Sequence, residues 1–412
     1  MAIAVASFGQ MHFTYAHVEV NNCIFGADTV TYFNALGKGS YLAFRVHKHA
    51  AAVVAIAAIA KPLTTMGVEP LVAGLFALAV IQGSAALLIF ALLRRHFGDT
   101  PAATILTMFV FASFGTATLS GIAETYGVTM ACIALACLLF GEIAPLARRW
   151  PLRAAIAAGA TAAMPALANA PAAIFVVVYY AFVMRYLRNR PHSEKFIQLF
   201  VPAALAISLS ILPALVAEGA QGSHWQVNYL NRYANWTNFT DPKILADYAV
   251  SVLIFSWVGP LDWLQCRYLL SDLVTLMAHP LRFIALLATI TVLVGGLYRA
   301  FSSAMRGVSI ATLCVASVLA LFYLYFNPDE ALLYSPQWIL ALVLAAAPGI
   351  ADSRAHVAAA AVATSLLLAV NVGPLRDPRS HDPTYCCQVP PSTMRPNEMP
   401  DYLKRQGKVI ER

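Results

Sequence analysis

Charge is what this chain most lacks. Asp, Glu, Lys and Arg make up 11% of its 412 residues, where a soluble domain carries about 25%. So few charged groups cannot cover a water-facing surface of this size, which argues against a soluble globular protein. Also missing is the alternation of apolar and polar residues, over segments of about ten, that marks a transmembrane barrel. Ala and Leu, both strong helix formers, stand in its place. No basic face interleaves with aromatics as in single-strand binders, so the net charge of +7 does not point to nucleic acid. The first eight residues are apolar but lack a basic leader region and a cleavage site. Residues 1–20 read as a short or truncated first helix interrupted by Gln10, His12, His17 and Glu19, and not as a signal peptide. The seven cysteines show no metal-site spacing. Cys132, Cys137 and Cys314 fall inside apolar runs and read as small core residues. Cys386 and Cys387 are neighbours in the tail, where one could pair with Cys23 or Cys266 if all face an oxidising side.

What is present is apolar sequence. Hydrophobic residues make up 60% of the chain, and its mean hydropathy is +0.68. Runs of about 17–25 apolar residues recur, the length that crosses a ~30 Å hydrocarbon core as helix. They fall at 68–93, 101–119, 126–146, 154–170, 172–187, 196–217, 281–298, 307–326, 331–348 and 355–372. The expected fold is an all-α polytopic transmembrane helical bundle of about 10–11 spans.

Basic residues set its orientation. Arg94-Arg95, Arg148-Arg149 with Arg153, Arg185 through Lys195, Arg299 with Arg306, and Arg354 occupy alternate loops, while 120–125, 168–171 and 327–330 hold no Lys or Arg. Lys and Arg mark cytoplasmic loops, so the Arg-free turns face outward. The apolar run 50–66 would reverse every later loop if it crossed. It reads instead as a helix at the outer interface, within a first outer loop of 21–67. By the same parity, 245–265 reads as an interfacial or re-entrant helix pair inside the outer loop 218–280. Its Tyr248, Phe255, Trp257 and Trp263 are the kind of aromatics that favour headgroup depth, and Pro260 and Asp262 break it. Residues 1–373 form the membrane module, and 374–412 a polar, Pro-rich tail on the outer face. Asn235-Trp236-Thr237 and Asn238-Phe239-Thr240 both match the N-glycosylation pattern.

The outward acids are few: Asp28, Glu69, Glu124, Glu218, Asp241, Asp262, Asp329 and Glu330. Charges in or beside a bundle are costly and are functional by default. Asp28 ends the polar stretch that starts at Asn21, and Arg45-Val46-His47-Lys48-His49 follows. It reads as a general base or as a carboxylate orienting an acceptor hydroxyl; the plainer reading is a solvated loop acid or helix cap. Arg45, His47, Lys48 and His49 suit a phosphate, or else anchor the start of an interfacial helix. Two histidines two residues apart do not share a helix face, which argues against a His–His metal site. Glu124, before Thr125-Tyr126, is a substrate or metal ligand, or a dipole partner of the next span. Asp329 and Glu330 open a late span by the same dipole logic. Yet Tyr334, Ser335, Gln337 and Trp338 carry polar groups down that helix, as a lining does.

Together these residues resemble the GT-C superfamily of membrane glycosyltransferases. Phe25-Gly26-Ala27-Asp28, leading to Arg45–His49 and Lys61-Pro62-Leu63, looks like the family's first outer loop, with its essential acid, and its juxtamembrane helix. Gly98-Asp99 looks like the following cytoplasmic turn. Ala123-Glu124-Thr125-Tyr126 looks like the acid–aromatic motif opening a later span. Glu330-Ala331-Leu332-Leu333-Tyr334-Ser335 looks like the outer end of a late span in uncharacterised bacterial members. Where the family has His-Pro after the first loop, this chain has His47-Lys48-His49, which leaves open which His matches. The resemblance implies an inverting hexosyl- or pentosyltransferase that moves a sugar from a polyprenyl-phosphate donor to a lipid, glycan or protein acceptor at the outer face. Asp28 is then the base, and Arg45, His47, Lys48, His49, Glu124, Tyr126, Asp329, Glu330 and Tyr334 bind substrate. No cofactor is demanded; Asp28, Glu124 or Glu330 offer oxygens to a divalent metal. The alternatives are a transporter or flippase of a lipid-linked or polar solute, an inactive homologue, and a structural subunit whose acids are helix caps.

Overall fold

The computed structural model describes residues 1–17, 32, 35–41, 46–122, 124–221, 235–259 and 270–371; the side chains of 12–17, 46–48, 212–221 and 329–330 lie outside that description. Asp28, Arg45, Asp262, Trp263, Cys23, Cys266 and the tail 374–412 fall outside the described residues.

Helices α1 (Ala2–His17), α2 (Val46–Thr65) and α3 (Pro70–His96) come first. α4 (Thr100–Ala112) and α5 (Phe114–Ser120) follow, one residue apart. α6 (Tyr126–Ile143) tightens into a 3-10 turn at Ala144–Arg148. α7 (Pro151–Ala168) leads through a 3-10 turn at Ala170–Phe175 into α8 (Val176–Leu187). α9 (His192–Gln221) precedes a 3-10 turn at Trp236–Phe239. α10 (Pro242–Val250) runs on as π-helix over Ser251–Phe255, before the short α11 (Asp272–Met277). Last come α12 (Pro280–Ala300), α13 (Arg306–Phe326), a 3-10 stretch at Pro328–Tyr334, α14 (Ser335–Ala351) and α15 (Arg354–Asn371). No strand occurs among the described residues. Proline opens α3, α4, α7, α10, α12 and α14, positions where its missing N–H has no helical partner to lose. Asp99 caps α4 by accepting from Ala102 N–H at 3.0 Å. Asp241 caps α10 by accepting from the N–H groups of Lys243 (2.9 Å) and Ile244 (3.3 Å). Asp241 therefore takes the plainer of the roles open to an outward acid.

The chain is an integral, multi-pass membrane protein. Eight of its described helices are long and apolar enough to cross a membrane: Pro70–His96, Tyr126–Arg148, Ala170–Leu187, His192–Ile211, Pro280–Ala300, Arg306–Phe326, Ala331–Ala351 and Arg354–Asn371. Each coincides with an apolar run read from the sequence. The run 154–170 is α7, an alanine-rich helix whose Ala154, Ala155, Ala158, Ala162 and Ala163 are buried. The run 101–119 is not one straight span, because α4 and α5 meet at 77°. Ser113 between them is extended (φ −61°, ψ 145°). The first N–H groups of α5 donate to a distant segment: Phe114 to Trp257 O and Gly115 to Ser256 O, both at 3.0 Å. The 50–66 run is the apolar helix His49–Thr65. At 1.5 Å per residue it reaches about 26 Å, short of a ~30 Å core, and it packs on α3, α7 and α9.

The Arg-bearing turns close a ring at one end of the bundle. Arg95 pairs with Glu142 at 2.9 Å, and Arg299 with Asp352 at 3.1 Å. Arg190 donates to Arg148 O (2.6 Å) and Arg185 to Ala304 O (2.8 Å). Gly98 abuts Ala351.

α14 is the central helix, buried along nearly its whole length and packed by α4, α6, α12, α13 and α15. In lipid the association of helices rests on close van der Waals packing of small residues. Here a Cβ on Gly349 would lie 2.0 Å from Gly296 O, so α12 and α14 touch backbone to backbone. A second apolar cluster joins α1, α2 and α3 through Met11, Tyr32, Leu36, Ile56 and Leu75. The aromatics of 245–265 turn inward where they are described. Phe255 and Trp257 are buried, Trp257 against Phe109 at 5.3 Å. Cys137 is buried as expected of a core residue, whereas Cys314 is exposed on the outside of α13.

Candidate functional site

The Arg-free turns gather around Glu124. This acid lies between α5 and α6 and is buried, 4% exposed. Its Oε2 accepts from Thr125 N–H at 3.1 Å, so it sits against the N-terminus of α6, where the helix dipole favours negative charge. Thr125 is also buried, and the Tyr32 hydroxyl from the first loop donates to its Oγ1 at 3.4 Å. Tyr126, the first residue of α6, meets Tyr334 edge to face at 5.8 Å. Tyr334 in turn stacks on Tyr323 of α13, centroids 3.8 Å apart and planes 9° from parallel. The Tyr323 oxygen accepts from Asn169 Nδ2 at 3.2 Å and from Gln337 Nε2 at 3.4 Å. Asn169 ends α7, and the carbonyl of its neighbour Ala168 lies 2.8 Å from His49 Nδ1. A carbonyl only accepts, so Nδ1 carries a hydrogen. His49 itself departs from helical geometry (φ −135°, ψ 50°) and kinks α2 there.

Of the residues singled out in the sequence, His49, Glu124, Tyr126 and Tyr334 thus belong to one connected network. The backbone of Asp329 and Glu330 lies in the 3-10 stretch that ends at Tyr334; their side chains are outside the described residues, as are those of His47 and Lys48, which sit in the first turn of α2. Asp28 and Arg45 are outside the described residues altogether. The polar groups below Tyr334 do not face lipid: Ser335, Gln337 and Trp338 are all buried. Gln337 Oε1 and Trp338 Nε1 have no hydrogen-bond partner among the described residues; both lie beside Tyr323.

Sequence reasoning missed Asn169 and Tyr323 as members of the site, while Gln337 was read as part of the polar lining below Tyr334. It also missed Asp247, a buried carboxylate on α10 whose Oδ1 accepts from Leu270 N–H at 2.8 Å and whose Oδ2 has no partner among the described residues. Asn238 departs from the glycosylation pattern. Its side chain is fully buried and its amide donates to Leu324 O at 2.9 Å, so a folded chain cannot present it to an enzyme. Among the described residues no three of His, Cys, Asp and Glu lie close enough to hold a metal ion. Glu124 is the one described acid of the set proposed for a metal; Asp28 and the Glu330 side chain are not described.

No protein-family model matches the chain, and no curated protein matches its sequence. Among solved structures, the archaeal oligosaccharyltransferase AglB from Archaeoglobus fulgidus, in complex with an inhibitory peptide and a dolichol-phosphate, matches with a TM-score of 0.48 at 13% identity, over 96% of this chain and 60% of that one. Another structure of the Archaeoglobus fulgidus oligosaccharyltransferase, in complex with Zn and sulfate, matches with a TM-score of 0.41 at 14% identity, over 95% and 57%. The chain therefore spans no more than 60% of the length of either.

Proposed function

We propose that the chain is a membrane glycosyltransferase, moving a sugar from a polyprenyl-phosphate donor to a lipid, glycan or protein acceptor at the outer face of a bacterial inner membrane. The observation that carries the reading is a buried carboxylate, Glu124, linked through Tyr126, Tyr334, Tyr323 and Asn169 to the Ala168 carbonyl that holds His49. A buried acid at the edge of a bundle is costly, and retaining one argues for use.

In this reading Asp28 takes the proton of the acceptor hydroxyl as its oxygen attacks the anomeric carbon. The bond from that carbon to the phosphate oxygen breaks, polyprenyl phosphate leaves with the electron pair, and the configuration inverts. Phosphate is already a good leaving group, so no covalent enzyme intermediate is needed. Arg45, Lys48 and His47 or His49 offset the phosphate charge through charge-assisted hydrogen bonds, while the polyprenyl tail stays in the bilayer. Glu124, Asp329, Glu330, Tyr126 and Tyr334 bind the sugar or the acceptor. A divalent metal on Asp28, Glu124 or Glu330 would add charge stabilisation.

The test is transfer of label from polyprenyl-phosphate sugars, with membrane extract as acceptor, by the purified protein in lipid nanodiscs. Wild type is expected to transfer and Asp28→Asn to lose at least ~100-fold, the scale of a general base. No transfer by wild type, or full transfer by Asp28→Asn, overturns the proposal. One observation favours a second reading, a transporter of a lipid-linked solute. The 77° break between α4 and α5 resembles the discontinuous helices of transporters. Movement of the lipid-linked sugar across proteoliposomes without transfer would select that reading.

A further inference from the structure

We infer that the turn 235–241 is a membrane-interface anchor, in which Trp236, Phe239 and Tyr325 seat in the headgroup and ester layer of the bilayer at one end of α13. The inference does not rest on the glycosyltransferase reading.

Its first support is how the turn is built. The last carbonyls of any helix lack intrahelical partners. At the end of α13 two of them are taken by this turn. Asn238 Nδ2 donates to Leu324 O at 2.9 Å and to Tyr325 O at 3.3 Å, and Asn235 N–H donates to Tyr325 O at 2.9 Å. Asn235 Oδ1 then accepts from Thr237 N–H at 3.0 Å and from its hydroxyl at 2.8 Å. The turn is thereby a fixed cap on α13, and it holds a large indole outside the fold. Trp236 is 73% exposed, yet its ring is not loose: it lies 4.6 Å from Tyr325 and 5.7 Å from Phe239.

The second support is where that cluster sits. Past its first turn, the exposed residues of α13 are Ile310, Cys314, Ser317, Val318 and Leu321, of which all but Ser317 are apolar, and Tyr325 near its end is half-buried. With Tyr325 the apolar ones recur at steps of three and four, which is one face of a helix. An exposed apolar stripe along a transmembrane helix is its lipid face. Tyr325 is the last member of that stripe, and Trp236 stacks on it just past the helix end. Trp and Tyr concentrate at this depth because the ring is apolar and the N–H or O–H is polar. Continuity with the lipid face therefore favours lipid over a soluble glycan or a protein as the occupant. α10, which the turn opens, packs on the 3-10 stretch ending at Tyr334, so anchoring the turn sets the depth of the Glu124 network relative to lipid phosphates.

The experiment uses the full chain in phosphatidylcholine liposomes and compares tryptophan fluorescence of wild type with Trp236→Phe, the difference isolating Trp236. This exposed position tolerates Phe without a folding penalty, which gel filtration and circular dichroism of the variant check. Lipids brominated near the ester end of the acyl chain are expected to quench the Trp236 component at least about twofold more than lipids brominated near the methyl end, as interfacial depth requires. Aqueous iodide is expected to quench it weakly. Strong quenching by iodide with none by either lipid overturns the inference. So does protection of the component by soluble oligosaccharide in detergent, which would make the cluster a glycan platform.

Discussion

Gly349→Ala tests the packing on which the bundle is centred. The added Cβ would lie 2.0 Å from Gly296 O, 2.6 Å from Ala300 N and 2.9 Å from Arg299 Cβ, where ordinary contact begins at 3.4 Å. Two of these atoms are backbone, so no rotamer change relieves the clash. α12 must withdraw by more than an ångström along an interface that joins its Gly296 and Ala300 to Ala346 of α14. A gap of ~0.5–1 Å already forfeits a quarter to a half of each dispersion contact. Overpacking costs about 1–3 kcal/mol, and a backbone-to-backbone clash belongs at the upper end. Against it, Ala gains about 1 kcal/mol over Gly in a helix interior, leaving a net loss of about 2 kcal/mol. Gly295→Ala is the internal control. Its Cβ would meet only His356, Nε2 at 3.2 Å and Cδ2 at 3.4 Å, the far end of a movable side chain. That variant should keep the propensity gain and be unchanged or stabilised by up to about 1 kcal/mol. Thermal unfolding of both variants in one detergent measures the difference. Equal shifts of the same sign would refute the claim that α12 and α14 touch through backbone.

Three further outcomes follow from single side chains. Asn371→Leu leaves Ala112 O, Trp257 O and Gly259 N–H without their partner. At about 1 kcal/mol for each net hydrogen bond the loss should be roughly 2–4 kcal/mol by thermal unfolding, and an unchanged melting point would deny Asn371 its role as the clamp at the α4–α5 break. Tyr323→Phe keeps the stack on Tyr334 but removes the oxygen that Asn169 and Gln337 share, which should cost about 1–2 kcal/mol; Tyr323→Leu, losing the aromatic pair as well, should cost about 1 kcal/mol more. Expressed in a glycosylating host, the folded protein should carry no glycan on Asn238, read by peptide mass spectrometry.

Hydropathy made the spans legible because an apolar run of membrane length has one use. It could not show that 101–119 turns by 77° at Ser113. The cause is a pair of carbonyls at Ser256 and Trp257 that draw the N–H groups of Phe114 and Gly115, and nothing local in an evenly apolar run reports a partner so distant. The same limit applied at the site. Glu124, Tyr126 and Tyr334 stood out as polar groups against apolar flanks near turns without Lys or Arg, and His49 as part of the basic cluster Arg45–His49. Asn169 stands in an Arg-free turn and Tyr323 is one ring in the run Phe322–Phe326, and neither position reports the other, 3.2 Å away. Asp247 was hidden by its neighbours: Lys243 one turn earlier makes it look like half of a surface pair, whereas Leu270 N–H is its actual partner.

Glu124 is where a structural and a functional role can be separated. Two helix N-termini converge there: Tyr126 begins α6, and Tyr334 immediately precedes α14, with their rings 5.8 Å apart. Each such terminus carries roughly half a positive charge, so together they favour a carboxylate, or the anionic part of a substrate. If Glu124 serves only α6, Glu124→Gln keeps an oxygen for Thr125 N–H and loses only the dipole interaction. Its stability should then change by about 1 kcal/mol or less, with function intact. If the carboxylate holds sugar or acceptor, stability should change as little while transfer falls at least ~10-fold, a loss of about 1.4 kcal/mol in transition-state binding. Melting temperature and transfer rate measured on the same preparation decide between them. A variant that loses both in proportion would mark Glu124 as a folding residue and remove it from the site.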